Sequence, residues 1–362
     1  MRKRLLLLPF LVIPLFLTSC NVGIRQKTIT NVVVVDGEEI EAMQIHNSIS
    51  DVYKEASKSC VGVYAQSEKT ISTGSGVIYK KVGSIYYVVT NQHVIKGKTD
   101  FKIFDGDKYY YQASLVGSDS TNDIAVLTFD TDIYGEKREF KPLNIFDEEL
   151  EDIPTVGQTV IAIGCPLDIE NYNSVTAGIV SRYTTERITT DCALNPGNSG
   201  GGLFNINGKL LGICNSGMVW TNTEDGQIPV EGEGYAISNY IVKKCITDIE
   251  NAKGEIVRPV LGITVTTVNS MVGGANYLTV KDYLPLGEED IAYTVVLSVV
   301  YDSLAYEAGI LANDVILEIN DTKITKTTDI GSILHLANKG DVIKLKIYRK
   351  GAPELQIVEI TV

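Results

Sequence analysis

Residues 190–204 read TDCALNPGNSGGGLF, a stretch that sets one serine, Ser199, among four glycines at Gly197, Gly200, Gly201 and Gly202. A hydroxyl is a poor nucleophile near neutral pH, so an attacking serine needs a base to take its proton and a third group to orient that base. It also needs backbone N–H donors aimed at the charge that develops on the substrate oxygen. Glycine reaches backbone angles closed to other residues, so Gly197 can turn its N–H toward the same point as the N–H of Ser199. The loop therefore reads as a mount for a nucleophile and not as a floppy surface turn.

The base must come from elsewhere, and the chain has three histidines. His46 lies in a polar segment and His335 within a stretch of helical character. His93, in YYVVTNQHVI, follows a strongly apolar strand, and a strand end is where a rigid scaffold delivers a functional side chain into a cleft. For the orienting carboxylate, GSDSTNDIAVL at 117–127 offers Asp119 and Asp123. Asp123 adjoins the apolar run Ile124 to Leu127, where a buried, ionised carboxylate would hold an imidazole in one tautomer, whereas Asp119 reads as a solvated turn residue. The order His93, Asp123, Ser199 is that of chymotrypsin-like proteases, not of subtilisins or α/β-hydrolases.

Composition narrows the alternatives. The 362 residues are 44% hydrophobic and 21% charged, a globular balance with room for two or three domains. An excess of 45 acidic over 32 basic residues leaves a formal charge of −13, which disfavours nucleic acid, since a phosphate backbone is bound by a cationic surface. The first twenty residues, MRKRLLLLPFLVIPLFLTSC, carry three cations and then an apolar run from Leu5 to Leu17. As a helix that run spans about 20 Å, short of the ~30 Å of a bilayer core, so it reads as a signal peptide. Leu17-Thr18-Ser19-Cys20 resembles a lipoprotein lipobox, which would make Cys20 the lipidated first residue of the mature chain. Removing residues 1–19 leaves 29 basic and 45 acidic residues, a net charge of −16. An acyl anchor, and not charge, would then hold the protein at an anionic membrane. Cys60, Cys165, Cys192, Cys214 and Cys245 include no C-x-x-C pair and the histidines lie far apart, so a metal site has little support. Buried thiols serving as small apolar side chains are the simpler reading.

Along the chain, residues 20–46 form a polar tether with one apolar run at Val32 to Val35. A helix is expected from Ser48, where an [ST]-x-x-[DE] start precedes Ile49, Val52 and Ala56 at helical spacing. Short β-type runs follow: CVGVYA, SGVIYKK, SIYYVVTN, ASLVG, DIAVLTF, QTVIAIG, VTAGIVS, KLLGIC and EGYAIS. Many short strands at close spacing argue for barrels or sandwiches, not βα units. Ser238 to Ala252 is helical in pattern, with Gly254 as its C-terminal cap. Gly254 to Pro259 is a natural boundary, and beyond it lie four strand-like runs and a helix from about Thr328 to Asn338, an α+β domain of common size.

TNQHVI, NDIAVL and TDCALNPGNSGG resemble the three catalytic motifs of the HtrA (Deg) family of trypsin-fold serine proteases. GSGVIY at 74–79 and IAIGCPLDIENYNSVTAGIVS at 161–181 resemble further segments of that family, and the likeness runs from about residue 48 to 250. The resemblance implies that His93 is the general base, Asp123 its orienter and Ser199 the nucleophile, with the N–H groups of Gly197 and Ser199 forming the oxyanion hole. VLGI at 260–263, SLAYEAGILANDVILEIND at 303–321 and KGDVIKLKIYRKG at 339–351 resemble a PDZ domain of the same family. Leu261, Gly262 and Ile263 match the loop that holds a peptide's terminal carboxylate while the peptide adds to a sheet edge.

The departures are specific. Gly202 stands where the family usually has proline, and Leu304 and Asn313 replace a usual proline and glycine. The segment from Val180 to Thr190 is short where many members carry a long regulatory loop. Asn215 to Gly234, with the single tryptophan Trp220, is long and is expected to line the specificity pocket. Ala193, six residues before the nucleophile, takes the place of the acid found in enzymes that cut after Lys or Arg.

The expected fold is thus mainly β: a signal peptide at 1–19, a tether at 20–46, a trypsin-like double β-barrel at 47–254 and a smaller α+β PDZ domain at 255–362. The implied activity is a serine endopeptidase with no cofactor, and the near phosphate-loop match Gly97-Lys98-Thr99 lacks its earlier glycine. By resemblance the substrates are unfolded or damaged extracytoplasmic proteins and the protomers assemble as trimers. A non-catalytic peptide-binding adaptor or holdase on the same scaffold stays open, as does a processing protease with the same chemistry.

Overall fold

The computed structural model describes residues 33–35, 38–40, 49–107, 109–132, 139–146, 153–165, 171–216, 220–223, 226–229, 232–269 and 292–362. The signal peptide, Cys20, His46 and Ser48 lie outside the described residues. The chain divides into two units, Met1–His46 and Asn47–Val362. In the first, Val33–Val35 pairs antiparallel with Glu38–Ile40, so the apolar run of the tether is one arm of a hairpin.

The second unit begins with helix α1 (Ile49–Ala56) and six strands: β1 (Cys60–Gln66), β2 (Ile71–Val82), β3 (Ile85–Thr90), β4 (Asp100–Phe104), β5 (Tyr110–Asp119) and β6 (Ile124–Asp130). A short helix, α2 (Gln92–Ile95), lies between β3 and β4. The strands pair in the order β5–β4–β1–β2–β3–β6, and β5 with β6 closes the ring. A second closed barrel holds β7 (Thr159–Gly164), β8 (Ser174–Tyr183), β9 (Arg187–Thr190), β10 (Gly202–Asn205), β11 (Leu210–Asn215) and β12 (Gly234–Ser238), in the order β8–β9–β12–β11–β10–β7. Between β11 and β12, Trp220–Thr223 pairs with Gly226–Pro229 as a separate hairpin.

Period-two alternation explains why the central strands read as unbroken apolar runs. In β6, Ala125 and Leu127 fill the first barrel, while Ile124 and Val126 point outward into a shared core. Likewise Val160 and Ala162 of β7 fill the second barrel, while Ile161 and Ile163 face that same shared core. Helix α3 (Asn239–Ala252) adds Ile241, Val242, Cys245, Ile246 and Ile249 to it. Each fully buried aliphatic side chain there stabilises the fold by about 1.5–3 kcal/mol. The barrels are therefore packed face to face, and a cleft at their seam is rigid. Ser238 caps α3 by accepting from the Ile241 N–H, but the left-handed residue at its end is Lys253, φ 52°, and not Gly254.

Five strands, β13 (Ile263–Asn269), β14 (Ala292–Val299), β15 (Val315–Ile319), β16 (Val342–Tyr348) and β17 (Gln356–Thr361), form a sheet in sequential order with β13 at one edge, and the short strand Thr322–Lys323 pairs with β15 as a sixth. Helices α4 (Leu304–Glu307) and α5 (Thr327–Leu334) pack on it. Leu304 opens α4 where the family pattern has proline. Asn313 carries φ 73°, a left-handed angle that asparagine tolerates, so it performs the turn a glycine makes in the usual motif. Helix α5 ends at Leu334, four residues short of the expected Asn338, with His335 as its C-cap.

Asp119 corrects the sequence reading. It is fully buried and receives the Arg258 Nε–H at 2.8 Å, while Arg258 Nη2 donates to Asp248 at 2.8 Å and Nη1 to Asn338 Oδ1 at 2.6 Å and the Ala337 carbonyl at 3.2 Å. The expectation failed because Arg258 lies 139 positions away in sequence and reaches Asp119 only once the boundary segment folds back. That segment is itself structured: Glu255–Ile256 adds a parallel rung to β5. Removing one partner of a buried ion pair leaves the other charge uncompensated. Asp119→Ala is therefore expected to lower stability by about 3–5 kcal/mol, read by chemical denaturation against the parent chain.

Candidate active site

Asn91 follows β3 in extended geometry as the N-cap of the four-residue helix α2, which turns His93 out at the seam. Val94 and Ile95, both buried, tether α2 to the first barrel. The next loop supplies the carboxylate. Asp123 sits at φ 55°, an angle open to aspartate but strained for most residues, and its carbonyl accepts from the Gln92 N–H at 3.2 Å and from Asn91 Nδ2 at 2.9 Å. These bonds lock the Asp123 backbone to the residues flanking His93.

The side chains then form a line. His93 N–H donates to Asp123 Oδ1 at 2.8 Å, and His93 Nδ1 lies 2.7 Å from Asp123 Oδ2. An ionised carboxylate only accepts, so Nδ1 carries the proton and Nε2 presents its lone pair. Nε2 lies 2.9 Å from Ser199 Oγ, positioned to take the hydroxyl proton. Asp123 is half-buried and Ser199 is buried, while His93 is 45% exposed in its side chain, open to the cleft.

Ser199 itself stands on the glycine loop. Asn195-Pro196-Gly197-Asn198 is closed by the Asn198 N–H donating to the Asn195 carbonyl at 2.9 Å. Proline in the second place and Gly197 at φ 100° in the third make it a type II turn, which directs the Gly197 N–H away from the turn. Among the described residues neither that N–H nor the N–H of Ser199 takes part in the backbone bonds holding the loop. Gly200 shares the left-handed angle of Gly197, at φ 88°, and both Gly200 and Gly201 are also crowded. A Cβ on Gly200 would stand 2.0 Å from the Ser75 carbonyl oxygen, and one on Gly201 would stand 2.3 Å from that of Ile163. Two strands press against the loop at these glycines and leave no room for a Cβ at either.

Three residues that sequence reading passed over belong to the site. Asn215 Nδ2 donates to Asp123 Oδ2 at 2.9 Å, a third donor to that carboxylate. Ser216 Oγ lies 2.6 Å from Ser199 Oγ, and the Ser216 N–H donates to it at 3.2 Å. Ser75 lies under the loop. Asn215 shares one signal with His93, a polar residue at the end of an apolar strand; Ser216 and Ser75 carry none that spacing could reveal.

The five cysteines of the described chain are free and buried, and desolvation raises the thiol pKa of Cys60, Cys165, Cys192, Cys214 and Cys245 alike. They stay protonated at neutral pH and act as packing groups, as the sequence suggested. His335 lies apart from the line, its carbonyl accepting from Asn122 Nδ2 at 2.9 Å. Leu261, Gly262 and Ile263 lead into edge strand β13. Leu261 is buried with its carbonyl accepting from the Ala305 N–H at 3.0 Å, and Gly262 at φ 78° has Ser303 where a Cβ would project. Ala193 is exposed, and the side chains of Trp220 and its hairpin lie outside the described residues.

Comparison with known proteins agrees with this geometry. Residues 74–213 match the family described as trypsin-like peptidase domain, and residues 259–360 match the PDZ domain family. The chain is 36% identical to the serine protease Do-like HtrA of Lactococcus lactis over 80% of this chain and 71% of that one. It is 33% identical to the serine protease Do-like HtrA of Bacillus subtilis over 84% and 71%. The crystal structure of the serine endoprotease from Yersinia pestis superposes with a TM-score of 0.62 at 28% identity, covering 87% of this chain and 97% of that one.

The carboxylate with three donors yields a test. Asn215→Ala removes one charge-assisted hydrogen bond, of about 1.5–3 kcal/mol, and should lower kcat on a peptide substrate about tenfold or more while the melting temperature falls by only about 3–10 °C, the protein staying folded at the assay temperature.

Proposed function

The chain belongs to the HtrA family of trypsin-like serine proteases with a PDZ domain, and on that premise we propose an extracytoplasmic endopeptidase that degrades unfolded or damaged proteins, with His93, Asp123 and Ser199 as its catalytic triad. The observation that carries the assignment is the unbroken hydrogen-bonded line from Asp123 through His93 to Ser199. Ser199 Oγ attacks the scissile carbonyl carbon as His93 Nε2 takes its proton. The N–H groups of Gly197 and Ser199 receive the oxyanion. Collapse breaks the C–N bond, and His93 passes the proton to the leaving amine. Water then adds to the acyl-enzyme with His93 again as base, the acyl C–Oγ bond breaks to release the carboxylic acid, and His93 returns the proton to Ser199 Oγ.

The domain limits follow the same reading: a leader at 1–19, a tether at 20–46, the protease at 47–254 and the PDZ domain at 255–362. Lipidation of Cys20 would hold the enzyme on the outer face of the membrane, which its leader-like N-terminus supports; its acidic surface would not be drawn there by charge. An extracytoplasmic site accords with relatives named probable periplasmic serine endoprotease DegP-like. The loop at Leu261, Gly262 and Ile263 beside edge strand β13 suits capture of a peptide terminus by strand addition. A homotrimer is proposed from family membership alone.

A fluorophosphonate probe should label the full-length protein at Ser199 and leave Ser199→Ala unlabelled; absence of Ser199-dependent labelling would favour a non-catalytic peptide-binding adaptor. Because Ala193 stands where an acid would attract a cationic side chain, a peptide-library digest should show cuts after small or medium apolar residues. Cuts dominated by Lys and Arg would overturn that preference.

A further inference from the structure

Ser75, in β2, is fully buried, and it grips the nucleophile loop at two points. Its N–H donates to the Ser199 carbonyl at 2.7 Å. Its hydroxyl donates to the Gly197 carbonyl at 2.7 Å and accepts from the Cys165 N–H at 2.8 Å. A backbone N–H can only donate and a carbonyl can only accept, so the direction of both hydroxyl bonds is fixed. Ser75 is in turn anchored, since its own carbonyl accepts from the buried Thr90 Oγ1 at 2.7 Å. Thr90 is the last residue of β3, three places before His93.

The two residues whose carbonyls Ser75 holds are the two whose N–H groups form the oxyanion hole in the function proposed above. Proline at 196 and the positive φ of Gly197 choose the turn, but they do not set how far Gly197 stands from Ser199. A single residue on a neighbouring strand, bonded to both, does. We propose that Ser75 is a positioning residue for catalysis: its hydroxyl sets the spacing of the Gly197 and Ser199 N–H donors before substrate arrives. Ser75 touches no substrate, so it acts through the placement of those donors. Preorganised donors stabilise a developing oxyanion because they need no reorganisation at the moment of reaction. Cutting the tether at Gly197 leaves the Ser199 end held by the Ser75 backbone, and misplacement of a catalytic group by about 1 Å can cost on the order of 100-fold in rate.

The inference rests on the endopeptidase reading and is tested on the full-length protein with a peptide that the parent cuts. Ser75→Ala should lower kcat about 10- to 100-fold with KM within about twofold, and should weaken a peptide boronate by the same factor, because the tetrahedral adduct uses the same two donors. Ser75→Thr, which keeps the hydroxyl, should recover most of the loss. If Ser75→Ala does not fold, Ser75→Cys fills the site with a much weaker hydrogen-bonding group and should show the same fall in kcat. A folded Ser75→Ala whose kcat matches the parent, or whose loss lies wholly in KM, overturns the proposal; so does a folded Ser75→Thr no better than Ser75→Ala. A parent protein that cuts no peptide and takes no fluorophosphonate would instead defeat the endopeptidase reading itself.

Discussion

The active site depends on one close approach of backbone to backbone. Strand β2 of the first barrel runs so near the nucleophile loop that the Ser75 carbonyl would stand 2.0 Å from any Cβ at position 200. At the same place the Ser75 N–H bonds the Ser199 carbonyl at 2.7 Å. The nucleophile is carried by one barrel and aligned by the other, so the shared core of Val77, Val89, Ile124, Val126, Ile161, Ile163, Phe204 and Ile213 has a catalytic consequence. A loosened seam would separate Ser199 from His93 without disturbing either barrel. Close-packed interiors resist such drift, which is why three residues from distant parts of the chain can hold hydrogen-bond distances of 2.7–2.9 Å.

A second constraint acts on the carboxylate. Asp123 adopts a left-handed backbone held by Asn91 and Gln92 on one side, and the turn preceding it is organised by Asp119, whose Oδ1 accepts the N–H groups of Thr121 and Asn122. Asp119 is neutralised by Arg258, from the segment that leads into the PDZ domain. The connection between the two domains is thus bonded into the loop that bears a triad member. The burial of a whole Arg–Asp–Asp cluster is tolerable because its members are paired and hydrogen-bonded.

Much of this architecture is legible in the residues themselves. The apolar alternation announces barrels, the scarcity of histidine singles out His93, and the run after Asp123 places it at a strand start. The turn at Asn195 to Asn198 follows from proline and glycine in the order a type II turn requires. The features with no such signal share a physical cause. Asp119 reads as solvated because turn aspartates usually are, and only the folded boundary segment brings Arg258 to it. Lys253 takes the cap expected of Gly254, since one residue of shift at a helix end is set by how the next segment packs. Asn215, Ser216 and Ser75 act through single contacts with no periodic or compositional trace.

The division between the two sources of information is therefore a division between chemistry and distance. Residue type and local order by themselves singled out Ser199, His93, Asp123 and the proline–glycine turn before Ser199. These depend on bonds within a few residues, which the sequence displays directly. Tertiary structure alone decided which carboxylate is buried with which cation, how closely two strands crowd Gly200 and Gly201, and which hydroxyl bonds the Gly197 carbonyl. Those outcomes depend on residues 90 to 139 positions apart meeting at 2.7–2.8 Å, and no local pattern encodes such a meeting.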